Sequence, residues 1–173
     1  MSATVRHAQG GNSAANFRHQ PITGIHLASV SRPFVATAIV QLAEAGKLDL
    51  SDSVTKHLRC FRLADERYRD ITIRQILDHT SGMPDVEDYE WDRPKFDNGA
   101  AERYVRAMAS ERLLWAPAAD WAYSSMAFDM LGDFIGNVST LSFEDYIETN
   151  ILEPTAMNNS SLPERAFPFR ILR

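Results

Sequence analysis

Apolar residues recur at helical spacing along most of the chain, and the pattern predicts about five helices with very little strand. Pro33 to Ala45 (PFVATAIVQLAEA) has a proline near its start and Gly46 just past its end, the asymmetry of a capped helix. Phe34, Val35, Ala38, Ile39, Val40 and Leu42 wrap most of its circumference, which predicts burial on nearly all sides. Thr72 to His79 opens on an N-cap threonine and places Ile73, Ile76 and Leu77 at i, i+3 and i+4, so a short helix is expected. Three more helices are predicted. Asn98 to Arg112 sets Tyr104, Val105, Met108 and then Leu113 on one face, and Ser125 to Val138 carries Met126, Met130, Leu131, Phe134 and Ile135. Ser142 to Ile151 begins with a capping-box-like Ser142-Phe143-Glu144-Asp145. The single extended segment expected is Ile22 to Ala28.

Between these runs the pattern lapses. The stretch to about Gln20, with Gly10, Gly11 and Asn12, follows neither period and reads as a loose arm. Leu48, Leu50 and Val54 alternate with polar residues in a segment rich in Asp and Ser, a turn-rich connection. Ser81-Gly82-Met83-Pro84 stops the Thr72 helix, and Asp85 to Asn98 (DVEDYEWDRPKFDN) is the longest expected loop. The organisation is therefore an arm over 1–20, one helical body over 21–162 and a tail over 163–173. No internal repeat or low-complexity tract is visible.

Composition narrows the function classes. With 45% apolar and 24% charged residues, the sequence fits one ordinary domain with a sizeable core and excludes a disordered or membrane-spanning chain. A net charge of −5 disfavours a nucleic-acid surface. The lone Cys60 rules out an intrachain disulfide and any multi-cysteine metal site. Asp85, Glu87, Asp88, Glu90 and Asp92 lack the spacing of a calcium loop and read as a solvated acidic stretch. No metal or organic cofactor is expected, and no membrane contact. The N-terminus lacks the apolar core of a secretory signal, so the default compartment is cytoplasmic and the sequons at Asn137, Asn158 and Asn159 carry no weight.

Candidate chemistry begins at Ser29-Val30-Ser31-Arg32, where the extended segment enters the first helix. A helix N-terminus offers free N–H groups and partial positive charge, which favour an alkoxide and the oxyanion it generates. The alternative is that Ser29 or Ser31 simply caps the helix.

The order and company of these residues carry a resemblance. Ala28-Ser29-Val30-Ser31-Arg32-Pro33-Phe34 is followed by Glu44-Ala45-Gly46-Lys47-Leu48-Asp49-Leu50, then by Ile71-Thr72-Ile73-Arg74-Gln75-Ile76-Leu77-Asp78-His79-Thr80-Ser81-Gly82-Met83-Pro84. Tyr123-Ser124-Ser125, Leu131-Gly132 and Ile151-Leu152-Glu153-Pro154 complete the series. From Ile22 to Ser161 the chain resembles the serine β-lactamase, penicillin-binding protein and esterase superfamily, particularly its class C-type branch. The resemblance implies a mainly α chain: the helical lobe of the α+β β-lactamase/transpeptidase-like fold, with most of the antiparallel sheet missing.

It also implies roles. The family's Ser-x-x-Lys motif maps onto Ser29, the acylated nucleophile, and Arg32. A guanidinium stays protonated in proteins, so Arg32 is expected to act electrostatically and to leave proton transfer to another group. The second motif, Tyr-x-Asn, maps onto Tyr123 and Ser125. Tyr123 is thus the implied general base and Ser125 a shorter substrate-positioning group. Read without the family, Tyr123 is a packed aromatic with a satisfied hydroxyl. The third motif, a Lys-Thr-Gly or His-x-Gly strand, is not found: beyond Tyr123 the glycines are Gly132 and Gly136, both in a helical pattern. Asp78, His79 and Ser81 contain triad residue types but are crowded at one helix end, and the family treats this segment as a structural turn.

The resulting expectation is a β-lactamase-like serine hydrolase relative, of the esterase, β-lactamase or D-Ala-D-Ala carboxypeptidase type, transferring an acyl group from a small ester or amide through Ser29. Activity is expected to be impaired. The alternatives are a non-catalytic helical module, its sheet-facing surface covered by a second copy or another chain, and a fragment of a longer polypeptide.

Overall fold

The computed structural model describes residues 4–7, 23–86, 97 and 99–162. Helices dominate these residues. β1 (Thr4–His7) lies between β2 (Thr23–His26) and β3 (Ser160–Ser161) in an antiparallel sheet, with Val5 opposite Ile25 on one side and Ser160 on the other. The loose arm expected over 1–20 is corrected at Thr4–His7. Four residues are too few to show a period, and here the pairing with β2 supplies the order that local pattern does not. The tail over 163–173 lies outside the described residues, as does most of the loop expected over Asp85–Asn98.

A 3₁₀ turn, Ala28–Ser31, leads directly into α1 (Arg32–Glu44), which Pro33 opens and Gly46, at φ +69°, follows. The buried residues of α1 are Val35, Ala38, Ile39 and Leu42, whereas Val40 is exposed and Phe34 only partly covered. The expectation of burial on nearly all sides is thereby corrected to a single i, i+3, i+4, i+7 stripe. The helix that is enclosed is α5 (Ser125–Ser139), which packs against α1, α4 (Ala100–Ala107) and α6 (Phe143–Ile147). Met126 to Leu131, Phe134 and Ile135 are all buried, so α5 is the axis of the core.

The shorter elements follow local rules. α2 (Val54–His57) is one turn, and α3 (Ile73–Leu77) opens on a full capping box. Thr72 Oγ1 accepts from the Gln75 N–H at 3.3 Å while Gln75 Oε1 accepts from the Thr72 N–H at 2.9 Å. Ser142 caps α6 through the Asp145 N–H at 3.0 Å, and a π-helical turn, Glu148–Leu152, continues that helix. Between α1 and α2, Asp52 gathers the turn-rich connection. Its carboxylate accepts from Lys56 Nζ at 2.6 Å and the Asp49 N–H at 3.0 Å and lies 2.7 Å from His57 Nε2, contacts that hold it well below the usual carboxylate range.

Candidate active site

Ser29 lies exposed in the 3₁₀ turn, immediately after Ala28, whose φ is +49°. A non-glycine residue in that region carries backbone strain, and it marks the sharp entry from β2 into the turn. The Arg32 N–H donates to the Ser29 carbonyl, and in such a turn side chains three apart lie on one face. The two side chains therefore issue from the same side of the turn. Neither serine caps α1. Ser31 occupies the cap position without a side-chain cap bond, and its hydroxyl instead donates to the Ala28 carbonyl at 2.6 Å.

Arg32 keeps helical dihedrals, φ −58° and ψ −37°, although Pro33 follows it and biases such a residue toward extended backbone. The continuous passage from 3₁₀ turn to α1 offsets that bias. It directs the guanidinium onto Tyr123: Nη1 donates to the phenol oxygen, and Cζ stands 4.6 Å from the ring centroid of Tyr123 and 5.5 Å from that of Phe128. Nε of Arg32 is buried without a hydrogen-bond partner among the described residues. Tyr123 is 39% exposed, so the phenol stands at the surface rather than packed away as a core aromatic.

Tyr123 is presented by the segment that enters α5. Ser124 is the N-cap of that helix: its Oγ accepts from the Ala127 N–H at 3.0 Å and donates to the Pro84 carbonyl at 2.7 Å. The N–H of Ser125 donates to Asp85 Oδ1 at 2.7 Å. Ser125 is buried at the first position of α5, whereas Ser29 and Tyr123 are both exposed.

His79, which the sequence shows only as part of a structural turn, lies beside this pair. The Asp78–Ser81 segment is indeed a turn: Asp78 Oδ1 accepts from Thr80 Oγ1 at 2.5 Å, and Ser81 Oγ accepts from the Met83 N–H at 3.3 Å. Among the described residues no side-chain hydrogen bond joins the three triad-like residues to one another. The imidazole, however, lies against Tyr123 with ring centroids 4.7 Å apart and against Phe128 at 5.0 Å, with Trp121 edge-on at 6.0 Å. Nδ1 accepts the Ser124 N–H at 3.2 Å, so the neutral ring carries its proton on Nε2. Burial, reinforced by the Arg32 charge, lowers the His79 pKa from the ordinary histidine value. No periodic signal marks such a residue, because the rings around it, Trp121, Tyr123 and Phe128, are 42 and more positions away.

Asp129 is a second residue without a sequence-level role. It sits in the enclosed helix α5, with Tyr104 donating to its carboxylate at 3.3 Å, and burial raises its pKa to about 6. An acid inside the apolar run Met126–Leu131 was the available signal. Among the described residues no group of three or more His, Cys, Asp or Glu side chains is arranged to hold a metal ion. No helix among them is long and apolar enough to cross a membrane.

Comparison with known proteins identifies the family and the fold. Residues 3–170 match the Beta-lactamase family, and the chain belongs to that family. It is 34% identical over 145 residues to Protein flp of Staphylococcus aureus (strain COL), an alignment spanning 83% of this chain and 29% of that protein. Penicillin-binding protein 4* of Bacillus subtilis (strain 168) is also 34% identical, over 80% of this chain and 30% of the relative. Among solved structures, a D-stereospecific amidohydrolase from Streptomyces sp. superposes with a TM-score of 0.68 at 28% identity, covering 90% of this chain and 49% of that one. The chain thus spans less than a third of the two sequence relatives and about half of the amidohydrolase. Its fold is the helical lobe of the β-lactamase/transpeptidase architecture.

Proposed function

We propose that this chain is a serine acyl-transfer module, taking an acyl group from a small ester or amide onto Ser29 and passing it to water. The observation that carries the reading is the bond from Arg32 to the phenol oxygen of Tyr123, made one turn beyond Ser29. With Arg32 held on that oxygen, the reacting form of Tyr123 is the phenolate, and it is this form that receives the proton of Ser29. In the acylation step Ser29 Oγ attacks the carbonyl carbon and its proton passes to the Tyr123 phenolate. The tetrahedral oxyanion is held by the backbone N–H of Ser29, and the leaving group departs with the proton from Tyr123. Water then attacks the acyl-serine, giving its proton to the same phenolate, and Ser29 leaves with a proton as the carboxylic acid is released. Arg32 keeps its proton throughout. Ser125, buried at the first position of α5 with its N–H on Asp85, supports the segment that carries Tyr123 rather than touching the substrate.

Supporting this reading are the family membership and the exposure of both Ser29 and Tyr123. Arg32 in place of lysine, and Ser125 in place of asparagine, suit it to slow turnover. A fluorophosphonate probe, with p-nitrophenyl acetate as substrate, tests it. The expected result is a mass adduct on Ser29 that disappears in Ser29→Ala. Absence of any adduct would instead favour a non-catalytic helical module.

A further inference from the structure

Tyr123 precedes α5 in a segment with no regular secondary structure, yet the proposed chemistry requires its phenol to stand at one place beside Arg32. Something must hold that segment. The hydrogen bonds on either side of Tyr123 lead to a single residue. The Ala122 N–H donates to the His79 carbonyl at 3.1 Å, and the Ser124 N–H donates to His79 Nδ1 at 3.2 Å. Between these two bonds the imidazole lies on the Tyr123 ring itself, while its other contacts, Phe128 and Trp121, close around it. The backbone of His79 is held at φ +63°, a costly conformation for a non-glycine residue, and its own N–H is tied to the Ile76 carbonyl at 3.3 Å. One residue thus grips the main chain before and after the phenol and the face of its ring.

We infer that His79 is the positioning residue of this site, and that only its neutral ring holds Tyr123 against Arg32. The inference rests on the proposed acyl-transfer reading for its kinetic consequence, but not for the geometry. Protonation at Nδ1 replaces an acceptor with a donor facing the Ser124 N–H, so that bond is lost and the C-terminal side of the grip opens. It also sets a second positive charge beside Arg32. The charged groups facing His79 are Arg32 from α1, Asp78 from its own turn and Asp85 from the following loop. Tyr123 faces it from the segment before α5, and α5 presents the uncharged Phe128 ring. Burial and Arg32 outweigh the two carboxylates, which places loss of the grip on the acid side of the ordinary histidine range.

Two variants separate positioning from bulk stability. Asn tolerates positive φ and its side-chain oxygen accepts a hydrogen bond without titrating near neutrality, whereas Ala offers neither ring nor acceptor. The expected result for His79→Ala is a fall of about 100-fold in the rate of Ser29 labelling, the scale of a misplaced catalytic group. His79→Asn recovers about a tenth or more of the lost rate, and its pH profile lacks the acid limb of the unsubstituted chain. A limb unchanged in His79→Asn overturns the inference. A readout independent of activity is nuclear magnetic resonance of the Ser124 amide and the Tyr123 ring protons while the His79 ring is titrated. Both are expected to move with the imidazole in the unsubstituted chain, and neither to do so in His79→Asn. If Ser124 and Tyr123 stay fixed as His79 titrates, the positioning role is wrong. If they move while no Ser29 adduct ever forms, the grip stands and the acyl-transfer reading alone fails.

Discussion

Arg32 and Tyr123 are 91 positions apart, and the guanidinium of the first donates a hydrogen bond to the phenol oxygen of the second. That bond joins the start of α1 to the approach to α5, two helices that pack directly on one another. Its partners are also the two residues from which the proposed chemistry draws its cation and its base. Removing either leaves most of the surrounding packing in place, which makes the pair open to test by single substitutions.

Tyr123→Phe deletes one oxygen from a partly exposed ring. General acid–base groups contribute about 10² to 10⁴-fold, and a loss of that size in the rate of Ser29 labelling is expected. The melting temperature should hardly move, since the ring contacts with His79 and Arg32 survive. A variant labelled as fast as the parent would remove Tyr123 from the reaction.

Arg32→Met keeps the length of the side chain and removes its charge. A hydrogen bond to a charged group is worth about 1.5–3 kcal/mol, so Ser29 labelling should slow by about 10- to 150-fold. The check is a second-order rate constant with the same probe, measured at several salt concentrations. Because Nη1 contacts the phenol directly, the deficit should persist at high salt.

Asp129 gives the stability a pH dependence of defined sign. Its carboxyl titrates at about 6 in the folded chain against an ordinary value of 3.8, so between these values the folded state holds a proton that the unfolded state has released. Its contribution is complete below 3.8 and is lost as pH rises through about 6. Asp129→Asn keeps an acceptor for the Tyr104 hydroxyl without the charge. At neutral pH it should raise stability, by at most about 3 kcal/mol for a shift of this size, and the gain should vanish near pH 4. Urea unfolding at the two pH values checks both statements.

Gly82 is required where it stands. At φ +76° an added Cβ would lie 2.5 Å from the Trp115 carbonyl oxygen, and the Gly82 carbonyl already accepts the Leu114 N–H at 2.8 Å. Gly82→Ala should destabilise the chain by about 2 kcal/mol or more through strain and overpacking, seen as a lowered urea midpoint. Labelling of Ser29 should fall with it, since this turn carries His79 on one side and the Pro84 and Asp85 contacts to α5 on the other.

What the sequence disclosed was mostly local. The proline and glycine around α1, the threonine that caps α3 and the serine that caps α6 each act on a partner within a few residues, and each reads directly from the chain. The exposure of Val40 did not read out, because an apolar face is buried only if another element covers it, and the pattern of one helix does not say which does. β1 escaped notice since its order comes from β2. The pairing of Arg32 with Tyr123 was legible through the spacing shared with a family, whereas His79 was legible only as a turn. Its bond to Ser124 crosses 45 positions, and no spacing rule spans that distance.

Ala28 and His79, two positive-φ residues of this site, belong to different turns, and neither has glycine's freedom. Each must be compelled into its shape by the finished packing around it. On the proposed reading, reactivity at Ser29 would double as a sensor of correct assembly: a collapsed chain that has its helices but not its turns would be chemically silent, and recovery of labelling during refolding would mark the last event to occur rather than the first.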